Sequence, residues 1–307
     1  MGSVRVHEVC LRDGLQNEQT LVSTADKARV LRQLIASGCR DIEVTSFVRP
    51  RMIPQFSDAR ELMTMVPDTE GVRFWVLVPN LKGLDRALDS FTKHIATFMS
   101  VSDSHNRRNV NRTVRESLAG VSRVLRDARV EGLGTRAYLS TAFGCPYEGF
   151  VSPAKTRDLG LALLDAGAET LALGDTTGMG TPDLVRDVLQ SFFDAGVGPD
   201  KLAVHFHDTR GTALVNVYTS WTMGIRHFDG SVAGVGGCPY AHGAAGNACT
   251  QDIVHLLDAM GEEHGLSMEG LCKTGELLES LLDRELPGRY HRYWMGSRDS
   301  RAESARA

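Results

Sequence analysis

Short apolar runs with strand character alternate with amphipathic helical stretches eight times along the chain. The apolar runs cover residues 4–11, 41–45, 74–79, 94–101, 135–141, 170–174, 202–207 and 227–232. Stretches with helical periodicity cover 24–37, 57–66, 81–90, 113–130, 154–166, 182–195, 212–223 and 250–260. Eight such units make one TIM (β/α)8 barrel, an α/β fold with a closed parallel sheet inside a ring of helices. A doubly wound open sheet also alternates, but no Gly-rich dinucleotide fingerprint follows the first run.

Local punctuation supports the same units. Ser23 or Thr24 before Ala25, Ser152-Pro153 and Thr181-Pro182 pair a capping hydroxyl with a residue suited to a first helical turn. Gly38, Gly132, Gly167 and Gly224 fall near helix ends that precede the next strand. The expected organisation is a catalytic barrel over residues 1–261 and a C-terminal helical extension over 262–288. Residues 289–307 are polar, Arg-rich and aperiodic, and read as a mobile tail.

Composition narrows the function. The 307 residues are 42% hydrophobic and 23% charged, enough material for one large core. A formal net charge of −4 gives no basic field, so nucleic acid is not an expected partner and a small molecule is. The first residues lack an apolar signal region, and no window approaches the ~18 apolar residues of a membrane span, so a cytoplasmic protein without a membrane partner is expected. The six cysteines lack zinc-ribbon spacing and are too few for a disulfide scaffold, so most read as buried thiols.

The chemistry gathers at the carboxyl ends of the strands, where barrels of this kind place their sites. In the seventh run His205 and His207 stand two residues apart, so strand geometry points both imidazoles to one face, with Asp208 following. The first run ends in Arg12-Asp13, and a Gly-rich loop after the eighth leads through Cys238 to Asn247. Asp13, His205, His207 and Asn247 make a mixed oxygen and nitrogen donor set. Without a thiolate it suits Mg²⁺ or Mn²⁺ better than structural zinc, while the imidazoles leave Zn²⁺, Co²⁺ and Fe²⁺ open. Arg12 offers a fixed cation for a developing oxyanion. Glu43, at the end of a hydrophobic strand, needs a partner, for which Arg12 is the candidate. Cys238 lies among Gly234, Gly236, Gly237, Gly243 and Gly246, where a thiol on a movable loop can serve as an acid or base.

With these residues in view, the chain resembles the hydroxymethylglutaryl-CoA lyases, a branch of the metal-dependent barrels that cleave or form carbon–carbon bonds. The resemblance rests on the stretches beginning Arg12-Asp-Gly-Leu-Gln-Asn-Glu, Ile42-Glu-Val-Thr-Ser-Phe-Val, Gly144-Cys-Pro-Tyr-Glu-Gly, Ser152-Pro-Ala-Lys, Leu173-Gly-Asp-Thr, Gly180-Thr-Pro, His207-Asp-Thr and Gly236-Gly-Cys-Pro-Tyr-Ala, and on Gly246-Asn247. It implies that Asp13, His205, His207 and Asn247 are the metal ligands, and that Arg12, Glu43 and Cys238 are catalytic, with His205 also in proton transfer. It assigns Gln16, Thr176, Arg107, Arg108 and Asn109 to the acyl-CoA substrate. The implied reaction is retro-Claisen cleavage of 3-hydroxy-3-methylglutaryl-CoA, or a close analogue, to acetyl-CoA and a keto acid.

Departures from the family pattern lie around the pocket: Cys10-Leu11 replaces Gly-Pro, Gln19 a lysine, Phe206 a cysteine and Arg210 an aromatic residue. A related aldolase or a Claisen-type acyltransferase stays open as an alternative, and a non-catalytic CoA- or metal-binding barrel is disfavoured by the full set of acid and base groups. A homodimer is expected, with the apolar helices after Met260 as its interface.

Overall fold

The computed structural model describes residues 3–238 and 241–304, and the side chains of all of these except 238, 241–245 and 298–304. Strands β1 (Arg5–Glu8), β2 (Asp41–Ser46), β3 (Arg73–Leu77), β4 (His94–Ser100), β5 (Gly134–Ser140), β6 (Thr170–Asp175), β7 (Leu202–Phe206) and β8 (His227–Gly230) pair in sequence order. Parallel pairing of β8 with β1 closes the barrel, as the eightfold pattern predicts. The outer ring comprises α1 (Thr24–Ala36), α2 (Ala59–Thr64), α3 (Leu81–Leu88), α4 (Asp103–Val110), α5 (Val114–Val130), α6 (Pro153–Asp165), α7 (Pro182–Asp194), α8 (Ala213–Thr222) and α9 (Thr250–Ala259). Among the described residues, no helix is long and apolar enough to cross a membrane.

The capping hydroxyls act as their sequence positions predict. Ser23, Ser152 and Thr181 accept from the backbone N–H three residues on, with Pro153 and Pro182 at the first helical position. Helix α4 has no counterpart in the hydrophobic pattern, because Asp-Ser-His-Asn-Arg-Arg-Asn-Val has no apolar period. It forms because Ser102 caps it and because Asn106 turns inward, accepting from Ser100 N and donating to the carbonyls of Arg112 and Thr113 and to Ser117 Oγ.

Period-two geometry divides every strand. Outward residues such as Ile42, Val44, Leu139, Leu171, Leu173 and Val204 pack under the helices in the main core. The inner face is different from the branched aliphatic filling usual in such barrels. Only a small apolar group, Leu77, Ala96, Tyr138, Ala172 and Ala203, lies there, and His7, Asp41, Glu43, Arg136, His205 and Asp229 are buried with it.

The first strand stops at Glu8, short of the expected Leu11. Glu8 is fully buried, and one oxygen accepts from Cys10 N (2.9 Å) and Val232 N (3.0 Å) while the other accepts from Thr250 Oγ1 (2.6 Å). This pulls the chain out of extended geometry into a single π-helical turn over Cys10–Gly14, with Gly14 N donating to Val9 O five residues back. Glycine is required at position 14, since a Cβ there would come within 2.7 Å of Val235 Cγ1.

Beyond the barrel the chain forms α10 (Met268–Leu282), one helix where the sequence allows one or two, and α11 (Arg289–Ser304). The second of these covers 289–304 of the stretch expected to be an aperiodic tail, and 305–307 lie outside the described residues. Its first backbone N–H groups, those of Arg289 and Tyr290, donate to the Asp252 carboxylate on α9 (3.1 and 2.6 Å). His291 is completely buried near Gly275, and Trp294 Nε1 donates to Glu276 (2.6 Å). The helix is held by partners distant in sequence, so no local periodicity announces it.

Two outcomes follow from these contacts. Asp252→Ala removes the acceptor for the α11 N-terminus and is expected to cost about 1 kcal/mol of unfolding free energy, with faster amide exchange in residues 289–294 by mass spectrometry. Burial raises the Glu8 carboxyl from the usual 4.5 to about 7, so the fold favours its protonated form. That contribution is fully present below about 4.5 and is lost as pH rises through about 7. Glu8→Gln mimics the protonated acid. Its stability relative to wild type is therefore expected to rise by on the order of 3 kcal/mol between about pH 5 and pH 8, and a difference that stays constant in urea titrations would refute this.

Candidate active site

At the carboxyl end of the barrel the π-helical turn delivers Arg12 and Asp13 over the mouth, where they meet Glu43 from β2 and His205 from β7. Arg12 Nε donates to Glu43 Oε2 (2.9 Å), Nη2 forms an ion pair with the same oxygen at 2.9 Å, and Arg12 Nη1 pairs with Asp13 Oδ1. The partnership expected for Glu43 is thus present. His205 Nε2 and His207 Nε2 lie 3.1 Å apart, and Asp13 Oδ2 is 3.8 and 3.6 Å from them.

Electrostatics set the charge states. Burial by itself would raise Asp13, but Arg12 and the two histidines hold it well below the usual carboxylate range. For Glu43 burial outweighs the attraction of Arg12, so its carboxyl lies above the ordinary value. Arg12 is kept charged by Glu43 and Asp13 against the opposing effect of burial.

Three further residues belong to this arrangement and were missed in the sequence: Arg136 and Tyr138 on β5, and Asp229 on β8. Tyr138 donates its hydroxyl to Glu43 Oε2 (3.2 Å), and the guanidiniums of Arg12 (5.4 Å) and Arg136 (5.1 Å) both lie over its ring. Arg136 pairs with Asp229 Oδ1, and Asp229 Oδ2 is 3.1 Å from His205 Nδ1. The available signal was a charge in the middle of a strand, the same signal that exposed Glu43.

The other predicted residues are placed differently. Asn247 is joined to His207 by an antiparallel backbone bridge; its Nδ2 donates to Val235 O (3.3 Å), and its Oδ1 is buried without a partner among the described residues. Thr176 accepts from Thr141 N (3.1 Å), tying the ends of β5 and β6. Gln16 is half-buried just beyond the π-helical turn. Arg107, Arg108 and Asn109 are exposed on α4, with the Arg108 guanidinium 4.4 Å from the centre of the Tyr147 ring. Strand β9 (Gly237–Cys238) pairs antiparallel with β10 (Ala241–Ala245), so part of the Gly-rich loop forms a two-stranded sheet. The Cys238 side chain lies outside the described residues.

The donor set fits a divalent cation. One carboxylate oxygen and two imidazole nitrogens all lie within 4.8 Å of one another, and a second oxygen donor, Asn247 Oδ1, lacks a partner. Two imidazole nitrogens facing each other at 3.1 Å repel if both present lone pairs, and a cation or a shared proton relieves that repulsion. Oxygen with imidazole and no thiolate suits Mg²⁺ or Mn²⁺, with other first-row ions compatible.

Comparison with known proteins agrees with this geometry. A hydroxymethylglutaryl-CoA lyase of Bacillus subtilis is 44% identical over 286 residues, which is 93% of this chain and 95% of that protein. A crystal structure of the Bacillus subtilis HMG-CoA lyase superposes with a TM-score of 0.93 at 43% identity, covering 95% of this chain and 98% of the other. An HMG-CoA lyase from Acinetobacter baumannii in complex with coenzyme A and 3-methylmalate superposes with a TM-score of 0.89 at 34% identity, covering 94% of both chains. The family model described as HMGL-like matches residues 3–278, and with relatives this similar over nearly its whole length the chain belongs to that family.

Proposed function

We propose that this protein is a divalent-metal-dependent carbon–carbon lyase that cleaves 3-hydroxy-3-methylglutaryl-CoA, or a close 3-hydroxyacyl-CoA analogue, to acetyl-CoA and a keto acid. The observation that carries the proposal is the guanidinium of Arg12, gripped by Glu43 and set beside the Asp13, His205 and His207 cluster at the barrel mouth. The names of the relatives and the coenzyme A complex of one of them support the same substrate class.

In this reading Asp13, His205, His207 and Asn247 hold Mg²⁺ or Mn²⁺, which when bound supplies Lewis-acid polarisation of substrate oxygens. A base removes the proton of the C3 hydroxyl, the C2–C3 bond breaks, and its electron pair enters the thioester carbonyl as an enolate. Arg12 faces the developing negative charge. Its position is set before the reaction because Glu43 and Asp13 already fix the guanidinium, so no reorganisation is needed. The enolate carbon then takes a proton, from Cys238 or a water, to give acetyl-CoA. His205 serves either as ligand or as proton acceptor through the same Nε2 lone pair, so the two roles exclude each other at any one moment.

For the coenzyme portion, Arg107, Arg108 and Asn109 on α4 offer exposed donors on the carboxyl side of the barrel, and guanidinium groups match phosphate. Gln16 and Thr176 are assigned to the acyl end. The proposal includes a homodimer, but not through the helices after Met260: the α10 side chains Leu271, Leu277, Leu278 and Leu282 are buried in the chain's own core, and the exposed apolar side chains Leu214, Val215 and Tyr218 on α8 support the interface instead.

The test is release of acetyl-CoA from 3-hydroxy-3-methylglutaryl-CoA by purified protein with excess Mg²⁺ or Mn²⁺. Release is expected from wild type and should fall to the uncatalysed level in Asp13→Ala; if wild type binds metal yet releases none, the substrate assignment is wrong. Sedimentation equilibrium is expected to return twice the mass of one chain, and a single-chain mass at micromolar concentration would remove the dimer from the proposal.

A further inference from the structure

The buried pair behind His205 has no place in the reaction described above. Arg136 and Asp229 have side chains 4% and 1% exposed, and they come from strands three places apart around the barrel, β5 and β8. One carboxylate oxygen of Asp229 is taken by Arg136, and the other lies 3.1 Å from Nδ1 of His205. A carboxylate gripped by a guanidinium presents only acceptors, so the imidazole nitrogen facing it must carry the proton. We propose that Asp229, locked in place by Arg136, is the positioning residue that fixes His205 in the tautomer protonated at Nδ1 and thereby turns the Nε2 lone pair toward Asp13 and His207.

The neighbouring histidine shows the contrast. His207 Nδ1 is buried without a partner among the described residues, so no acceptor there fixes its tautomer in this way. The Tyr138 ring packs edge-on against His205 with centroids 5.7 Å apart, which restrains the ring's tilt and leaves the proton's position to Asp229. Arg136 also decides how a substitution behaves. In Asp229→Asn the amide must turn its oxygen toward Arg136, because two donors cannot face each other, and its NH₂ then points at His205 Nδ1. That nitrogen is forced to become an acceptor, and the proton moves to Nε2, where it blocks ligation.

The role toward a metal rests on the function proposed above, but the position of the ring proton does not, and the experiment separates them. The full-length, metal-free protein is labelled with ¹⁵N-histidine, its imidazole tautomers are read by long-range ¹H–¹⁵N correlation at a pH where the rings are neutral, and His205→Gln identifies the His205 signals. Wild type is expected to show the Nδ1–H form of His205, and Asp229→Asn the Nε2–H form with Mn²⁺ binding weakened roughly 10- to 100-fold by calorimetry. Adding Arg136→Met to Asp229→Asn frees the amide to turn its oxygen to His205, so the Nδ1–H signal is expected to return. A purely structural role for the pair would predict further damage in the double variant instead. An Nε2–H ring in wild type overturns the proposal, and needs only the His205→Gln protein used for assignment, not a folded Asp229 variant. So does an Asp229→Asn protein that keeps both the Nδ1–H ring and wild-type Mn²⁺ affinity. If wild type binds no Mn²⁺, the metal assignment fails, and the ring signals alone decide between these outcomes.

Discussion

A charge buried inside a closed barrel must be neutralised, hydrogen-bonded or matched by a counter-charge, and this barrel takes the last course with two pairs at its site. Arg12 with Glu43, and Arg136 with Asp229, are guanidinium–carboxylate pairs whose side chains are 7% and 0%, and 4% and 1%, exposed. Removing one partner of such a pair costs about 3–5 kcal/mol, whereas well-packed apolar replacements are often as stable. Packing alone therefore gives no reason for the pairs. Their consequence is geometric: one places a guanidinium beside Asp13, and the other places a carboxylate behind His205. Tyr138, with both guanidiniums over its ring and its hydroxyl on Glu43, touches both pairs.

The site combines this rigid floor with segments delivered by less regular backbone. Glu43, Arg136, His205 and Asp229 stand on strands whose outer faces are packed under the helices, so their positions are as fixed as the core itself. Asp13 and Asn247 come from turns. Glu8 joins their two supports, because a single buried carboxyl group binds the π-helical turn at Cys10, the segment at Val232 and the α9 N-terminus at Thr250. Gly236, at φ +123°, completes the fit, since a Cβ there would come within 2.7 Å of Asn247 Nδ2.

Much of this was legible in the chain. Alternation of strand and helix patterns gave the barrel, and the His205-x-His207 spacing with Arg12-Asp13 named most of the cluster, because strand geometry fixes which neighbours share a face. The same rule applied to Thr135-Arg-Ala-Tyr138 and His227-Phe-Asp229 puts Arg136 with Tyr138, and His227 with Asp229, on the inner face, yet nothing local says that Arg136 and Asp229 are partners. They are 93 residues apart. Helix α11 was illegible for a related reason: its anchors, Asp252, Gly275 and Glu276, lie on α9 and α10 rather than in its own periodicity.

By itself, then, the sequence determined the eight units, their order, and the identity of the groups offered at the strand ends, all of which are properties of short windows of chain. Only the tertiary structure decided which buried charges neutralise one another, how far β1 runs before Glu8 bends it into a π-helical turn, and which nitrogen of His205 faces an acceptor. Those outcomes depend on register around a closed sheet. A shift of one residue on any strand would turn its inward charge out into the helical layer, so the pairs exist only once all eight strands have closed.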